Sequence, residues 1–142
     1  MLEIETLHHA SLPSSDIERS KRFYSEILGL KEVPRPSFKF PGAWYQVGDR
    51  TLHLIVGERM TFREGKGIDS RDLHLAIRVK SYRGAIEHLA AHGYQPLDPQ
   101  APNQDPFRTM RINPAGTAGF PQIYILDPDR NVIEINADRD DS

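Results

Sequence analysis

The sequence predicts an α+β fold made of two tandem modules of the same design. Three observations carry this. Short runs with strand alternation outnumber two helical stripes. The order strand, helix, strands in the first half returns in the second, a repeat of roughly 65 residues. Matching places in the two halves carry polar side chains between apolar neighbours.

Module one spans about residues 1–64. Ile4 to Leu12 reads as a strand. In "SSDIERSKRFYSEILGL", Ser15 and Glu18 have the spacing of a capping box. Ile17, Phe23, Tyr24, Ile27 and Leu28 make one helical stripe, and Gly29 is the expected stop. After a Pro-rich loop, "AWYQVGDRTLHLIV" reads as a hairpin turning at Gly48-Asp49.

Module two spans about residues 68–142. "DLHLAIRV" is a strand, with Leu73, Leu75, Ile77 and Val79 expected to pack on the helix. "SYRGAIEHLAAHG" is a helix with Tyr82, Ala85, Ile86 and Leu89 on one face and Gly93 as its stop. "YQPL" is a short strand, and "SEILGLKEV" is matched by "AAHGYQPL" at the helix exit. An irregular strand is expected around Phe107–Ile112. "YILDPDRNVIEIN" closes the module as a hairpin.

Composition bounds the function. The 142 residues suit a single domain with a real core. A net charge of −2 gives no basic surface for nucleic acid. The absence of cysteine removes disulfide and thiolate chemistry. Without a signal-like start or an apolar run of about 20 residues, the expected setting is cytoplasmic and no membrane partner is expected.

The polar residues follow the repeat. His9 and His74 occupy equivalent places on the first strands, His53 and Glu134 on the last strands. Side chains alternate between faces along a strand, so these four point away from the helix-packing residues. Three imidazoles and a carboxylate converging where the half-sheets meet suit one divalent ion: Ni, Zn, Fe, Mn or Co. Glu134 alone would pass for a solvated strand residue; its place in the repeat argues otherwise.

"HASLPSSDIERSKRFYSEILGL", "HLAIRV" and "DPDRNVIEI", in that order across nearly the whole chain, resemble the vicinal oxygen chelate superfamily, also called the glyoxalase/bleomycin resistance/dioxygenase superfamily. The resemblance implies paired βαβββ modules curling around a metal. It implies His9, His74 and Glu134 as ligands and His53 as a fourth. His9 stands seven residues before Asp16, the family's spacing, which favours it over His8.

Two positions depart from the family. Close relatives of glyoxalase I have Glu at the place of His53, and the epimerases have Gln. Arg130 stands in the last turn where Gly is preferred, and a left-handed residue there costs about 1 kcal/mol or more.

The reading implied is a glyoxalase-like lyase or isomerase acting on a small oxygen-rich metabolite. Glu134 is the expected proton carrier, and His53 either a ligand, a second base or a substrate contact. The alternatives are an extradiol-type dioxygenase with His9, His74 and Glu134 as a facial triad, or a thiol transferase or ligand-binding resistance protein. Arg35, Trp44, Gln46, Phe120, Gln122 and Tyr124 are expected to line the substrate pocket, against the plainer reading of a packed loop and core. Arg111 is a candidate anion contact. His88 and His92, spaced i and i+4, are read as surface residues. A homodimer is expected.

Overall fold

The computed structural model describes residues 1–142. The chain forms two compact units, Met1–Thr61 and Phe62–Ser142. Each holds one sheet.

In the first unit, β1 (His9–Pro13) leads to a helix. Lys31–Val33, Gly42–Val47 and Arg50–Ile55 follow as β2, β3 and β4. The sheet order is β1-β4-β3-β2, with β1 parallel to β4 and the rest antiparallel. Strand β1 is shorter than the Ile4–Leu12 expected. It lies at the sheet edge and pairs only with β4, and its ladder starts at His9 opposite Thr51. Because β4 begins at Arg50 after the hairpin turn, residues before His8 have no β4 residue opposite them. Leu2, Ile4 and Leu7 are exposed.

The helix starts one residue later than the capping-box spacing suggests. Asp16, not Ser15, is the N-cap of α1 (Ile17–Lys21). Its Oδ1 accepts from the amides of Glu18 and Arg19 at 3.1 and 3.2 Å. A carboxylate at this place satisfies two orphan N–H groups and meets the positive end of the helix dipole. Ser15 instead accepts from Arg19 Nη2. The helix widens into a π-helical stretch, Arg22–Ile27, whose exit amide on Leu28 reaches back to the Phe23 carbonyl. Gly29, at φ +70°, ends it as expected. Phe23, Tyr24 and Ile27 are buried on the side of Ala43, Tyr45, Leu52 and Leu54. Ser25 Oγ and the Tyr45 hydroxyl join across 2.9 Å.

The second unit holds β5 (His74–Arg78), α2 (Tyr82–Ala91), β6 (Gln95–Pro96), β7 (Thr109–Asn113), β8 (Gln122–Leu126) and β9 (Val132–Asn136). Its sheet order is β5-β9-β8-β7-β6. Matching the two orders equates β5 with β1, β9 with β4, β8 with β3, and β7 with β2. The counterpart of β2 is therefore β7 rather than "YQPL", and β6 is an added edge strand parallel to β7. Ser81 caps α2, and Gly93 follows its end at φ +87°. The Tyr82 hydroxyl donates to the Gln122 carbonyl, tying α2 to β8. Ile123, Ile125, Ile133 and Ile135 fill one sheet face and are buried. Leu73 lies before β5 and is 85% exposed, so it does not join this core as alternation suggested.

The β8–β9 turn resolves the Arg130 puzzle. Asp127 is buried, and its Oδ1 accepts from the amides of Asp129 and Asn131, while Oδ2 accepts from the Asn131 side chain. Within that closed turn Arg130 adopts φ +67°. The left-handed cost is offset by contacts a glycine could not make. The Arg130 guanidinium donates to the Lys66 carbonyl at 2.9 Å and lies 5.1 Å over the Phe107 ring. Its carbonyl accepts from Arg63 Nη1. Arg63, with a side chain 11% exposed, also donates to the Gly67 carbonyl and pairs with Asp72 at 2.9 Å.

Two outcomes follow for stability. Arg63→Ala removes one charge-assisted and two carbonyl hydrogen bonds, and urea unfolding should show a loss of about 2 kcal/mol. The same pair, with Arg63 first and the Leu73 amide second, holds the Asp72 carboxyl down at about 2. A depressed carboxyl adds stability only where the unfolded chain has lost that proton, so its share is complete above about pH 4. It fades as the pH falls toward 2. The urea midpoint of Asp72→Asn should therefore lie below wild type at pH 6 and approach it near pH 2. A constant gap across that range would rule the linkage out.

Candidate metal centre

The register of each sheet decides which polar residues share a face. In the first unit, His9, Ser11, Thr51, His53, Trp44 and Gln46 fall on the face away from the helix. Cross-strand neighbours there are close enough for side-chain contact. His9 stacks on His53 with ring centroids 4.1 Å apart, and Trp44 stacks on the opposite side of His53, also at 4.1 Å. His53 is thus the middle ring of three and is 8% exposed. Burial, then the neighbouring His9 and His8, lower its pKa, which favours the neutral imidazole with a free lone pair. Its Nε2 meets Thr51 Oγ1 at 3.0 Å. His8 shares a 2.8 Å contact with His9 through their Nδ1 atoms, and the ring on His53 is that of His9.

In the second unit the corresponding face carries cross-strand rows. Arg111, Tyr124, Glu134 and Ala76 form one, and Asn113, Gln122, Asn136 and Arg78 the next. His74 stands beside them, opposite Val132. The Glu134 carboxylate is 4% exposed, with Oε1 3.3 Å from His74 Nε2. His74 Nδ1 lies 2.8 Å from the Asp72 carbonyl. A carbonyl only accepts, so Nδ1 carries the hydrogen and a neutral ring leaves Nε2 as a lone pair. The buried carboxylate then needs a positive partner at Nε2, which either a proton or a bound cation supplies. Ligand bonds of about 2.0–2.2 Å around a tetrahedral ion would set two ligand atoms about 3.4 Å apart. The donor chemistry of this pair and its spacing both fit a divalent ion. The Asp72 carbonyl is the kind of outer partner that fixes a ligating histidine.

Tyr124 borders the carboxylate. Burial first, and then the Glu134 charge, push its phenol up to about 12, so it remains an O–H donor near neutrality. Tyr124, the cross-strand neighbour of Glu134, forms a small apolar cluster with Leu126, Val132, Ile68 and Phe107.

The four expected ligands thus appear as two pairs, His9 with His53 and His74 with Glu134. No three His, Asp or Glu side chains gather into a single group. The residues expected to line a pocket divide. Trp44 and Tyr124 touch or border the candidate ligands. Gln46 turns its amide to the Gly48 carbonyl of its own hairpin, and Gln122 accepts from Asn113 Nδ2 at 3.2 Å. Phe120 lies under the Arg78 guanidinium. Arg35 sits 4.9 Å over Phe38 and 5.4 Å over Phe40, and donates to the Phe40 carbonyl. Its Nε is buried without a partner. Arg111 shares the row of Tyr124 and Glu134 and is exposed. His88 and His92 are exposed on α2, with His92 Nδ1 at the His88 carbonyl. Sequence reasoning did not single out Arg78 or Asn136. Their register beside Glu134 was the available signal, since Asn136 is two residues on along the same strand.

Comparison with known proteins agrees with this fold. The chain is 24% identical over 136 residues to Glyoxylase I 4 of Arabidopsis thaliana, covering 94% of this chain and 71% of that protein. A structure assigned to the glyoxalase family from Bacillus anthracis superposes with a TM-score of 0.73 at 20% identity, covering 96% and 98% of the two chains. A mutant of the fosfomycin resistance protein FosX of Listeria monocytogenes, complexed with Mn(II) and 1S,2S-dihydroxypropylphosphonic acid, matches with a TM-score of 0.65 at 16% identity over 95% and 93%. These likenesses show the fold. The sequence profile of the Glyoxalase/Bleomycin resistance protein/Dioxygenase superfamily matches residues 6–135, and the chain belongs to that superfamily.

Proposed function

We propose that the protein is a metal-dependent lyase or isomerase of the glyoxalase kind, acting on a small metabolite with neighbouring oxygens. One divalent ion would be held by His9, His53, His74 and Glu134, two from each unit, with the units taken from one chain or from two chains of a homodimer. The observation that carries the reading is the buried Glu134 carboxylate with Oε1 3.3 Å from His74 Nε2. The Arabidopsis relative named a glyoxylase I and the Mn(II) in the FosX complex support it.

A bound divalent ion supplies Lewis acidity toward two adjacent substrate oxygens. The chain's own residues would do the rest. Glu134, the only acid of the four, would take a proton from substrate carbon and return it. The Tyr124 O–H, held protonated, would donate a hydrogen bond at the same carboxylate or at substrate oxygen. Trp44 and the apolar cluster around Tyr124 would limit water. Arg111 offers a cation on the same face for an anionic substituent.

A dioxygenase reading keeps one specific support. His53 Nε2 is already engaged by Thr51, and its ring is clamped between His9 and Trp44. If that engagement persists, His9, His74 and Glu134 remain as a two-His, one-carboxylate set of the kind that suits Fe(II).

Metal analysis separates these readings. Wild type reconstituted with Ni, Zn, Fe or Mn should hold about one ion per site. Glu134→Ala should weaken binding by about 100-fold or more and abolish turnover. Undiminished metal in His53→Ala would remove that residue from the ligand set. Turnover of methylglyoxal–glutathione hemithioacetal without oxygen uptake is expected. Oxygen consumption with catechols instead would establish the dioxygenase, and wild type that takes up no ion would end both readings.

A further inference from the structure

Glu134 is held from behind by two residues outside the expected ligand set. The Asn136 side-chain amide donates to Glu134 Oε2 at 2.6 Å. Its carbonyl oxygen accepts from Arg78 Nε, also at 2.6 Å. The chemistry fixes this amide's orientation. Reversed, it would set an oxygen against a carboxylate and an NH2 against a guanidinium. Asn136 is 6% exposed, so neither of these contacts is easily replaced by water. Arg78 is fixed in turn by the Phe120 ring, 5.1 Å from its guanidinium carbon. Its other neighbour, Asp138, is 3.8 Å away and 95% exposed, and competes weakly. Register makes the row possible: Arg78 pairs with Asn136, and Ala76, the smallest side chain on that face of β5, stands opposite Glu134.

We propose that Arg78 and Asn136 are positioning residues that act in series on Glu134. They hold Oε2 so that Oε1 points at His74 Nε2, which presets the two-atom bite for a divalent ion. The guanidinium polarises the amide, and the amide transmits that polarisation to the carboxylate. Arg78 has no direct contact with Glu134 in this arrangement, so its whole effect must pass through Asn136. The inference rests on the metal reading above.

The test is Mn(II) and Ni(II) affinity, read by competition with a chromophoric chelator, alongside thermal unfolding of each apo variant. Arg78→Met keeps the apolar stem over Phe120 and removes the guanidinium at a half-exposed position, so it should fold. Arg78→Met and Asn136→Ala should each weaken binding by about 10- to 100-fold, the usual range for lost outer partners. The double variant should bind no more weakly than Asn136→Ala alone. Wild-type affinity in either single variant overturns the proposal, as does a double variant whose loss is the product of the two single losses. Wild type that binds neither ion overturns the metal reading and this inference together, whereas tight wild-type binding with unaffected variants overturns only this one. Should Asn136→Ala fail to fold, the Arg78→Met affinity alone decides.

Discussion

A carboxylate inside a protein must be neutralised, hydrogen-bonded or bound to a cation. Glu134 sits at the centre of β9 with isoleucines on both sides and almost no exposure. The second unit is arranged around that constraint. One carboxylate oxygen takes the Asn136 amide, and the other faces His74 Nε2. The buried turn at Asp127 sets where β9 begins and so which face Glu134 occupies. Arg63 and Arg130 then fasten that turn to the segment leading into β5, which carries His74. An apolar replacement of Glu134 would satisfy the core and leave these supports without an object.

The two units solve the same placement problem with different chemistry. In the first, His9, His53 and Trp44 stack as three rings, and burial, then the neighbouring imidazoles, lowers the pKa of the middle one. In the second, a carboxylate is backed by an amide and a guanidinium. One pair offers two imidazoles, and the other adds a carboxylate. Imidazole and carboxylate each suit several divalent ions, so ligand type alone leaves the choice of ion open.

Most of the fold was legible because each signal was local. Gly48-Asp49 and the Asp-Pro-Asp segment are turn chemistry, and the helical stripes are periodicity. The errors were also local in cause. Ser15 and Asp16 both suit an N-cap, and only the backbone decides which side chain reaches the free amides. Ile4 to Leu7 has strand character, but a strand needs a partner and β4 begins too late. The match of "YQPL" to the first module's helix exit failed because equivalence in a sheet is set by pairing, and β7 holds the place beside β8.

By itself, the sequence determined the repeat, the strand parity of His9, His53, His74 and Glu134, and the family. These are properties of spacing, and a period of two fixes the face of every residue on a strand. Tertiary structure alone decided what those side chains meet. The clamp on His53, the His74–Glu134 contact and the Arg78–Asn136 support depend on side chains from different strands. The compensation of Arg130 likewise brings together residues more than sixty positions apart. Such contacts arise from register and rotamer, and neither is written in the local pattern of residues.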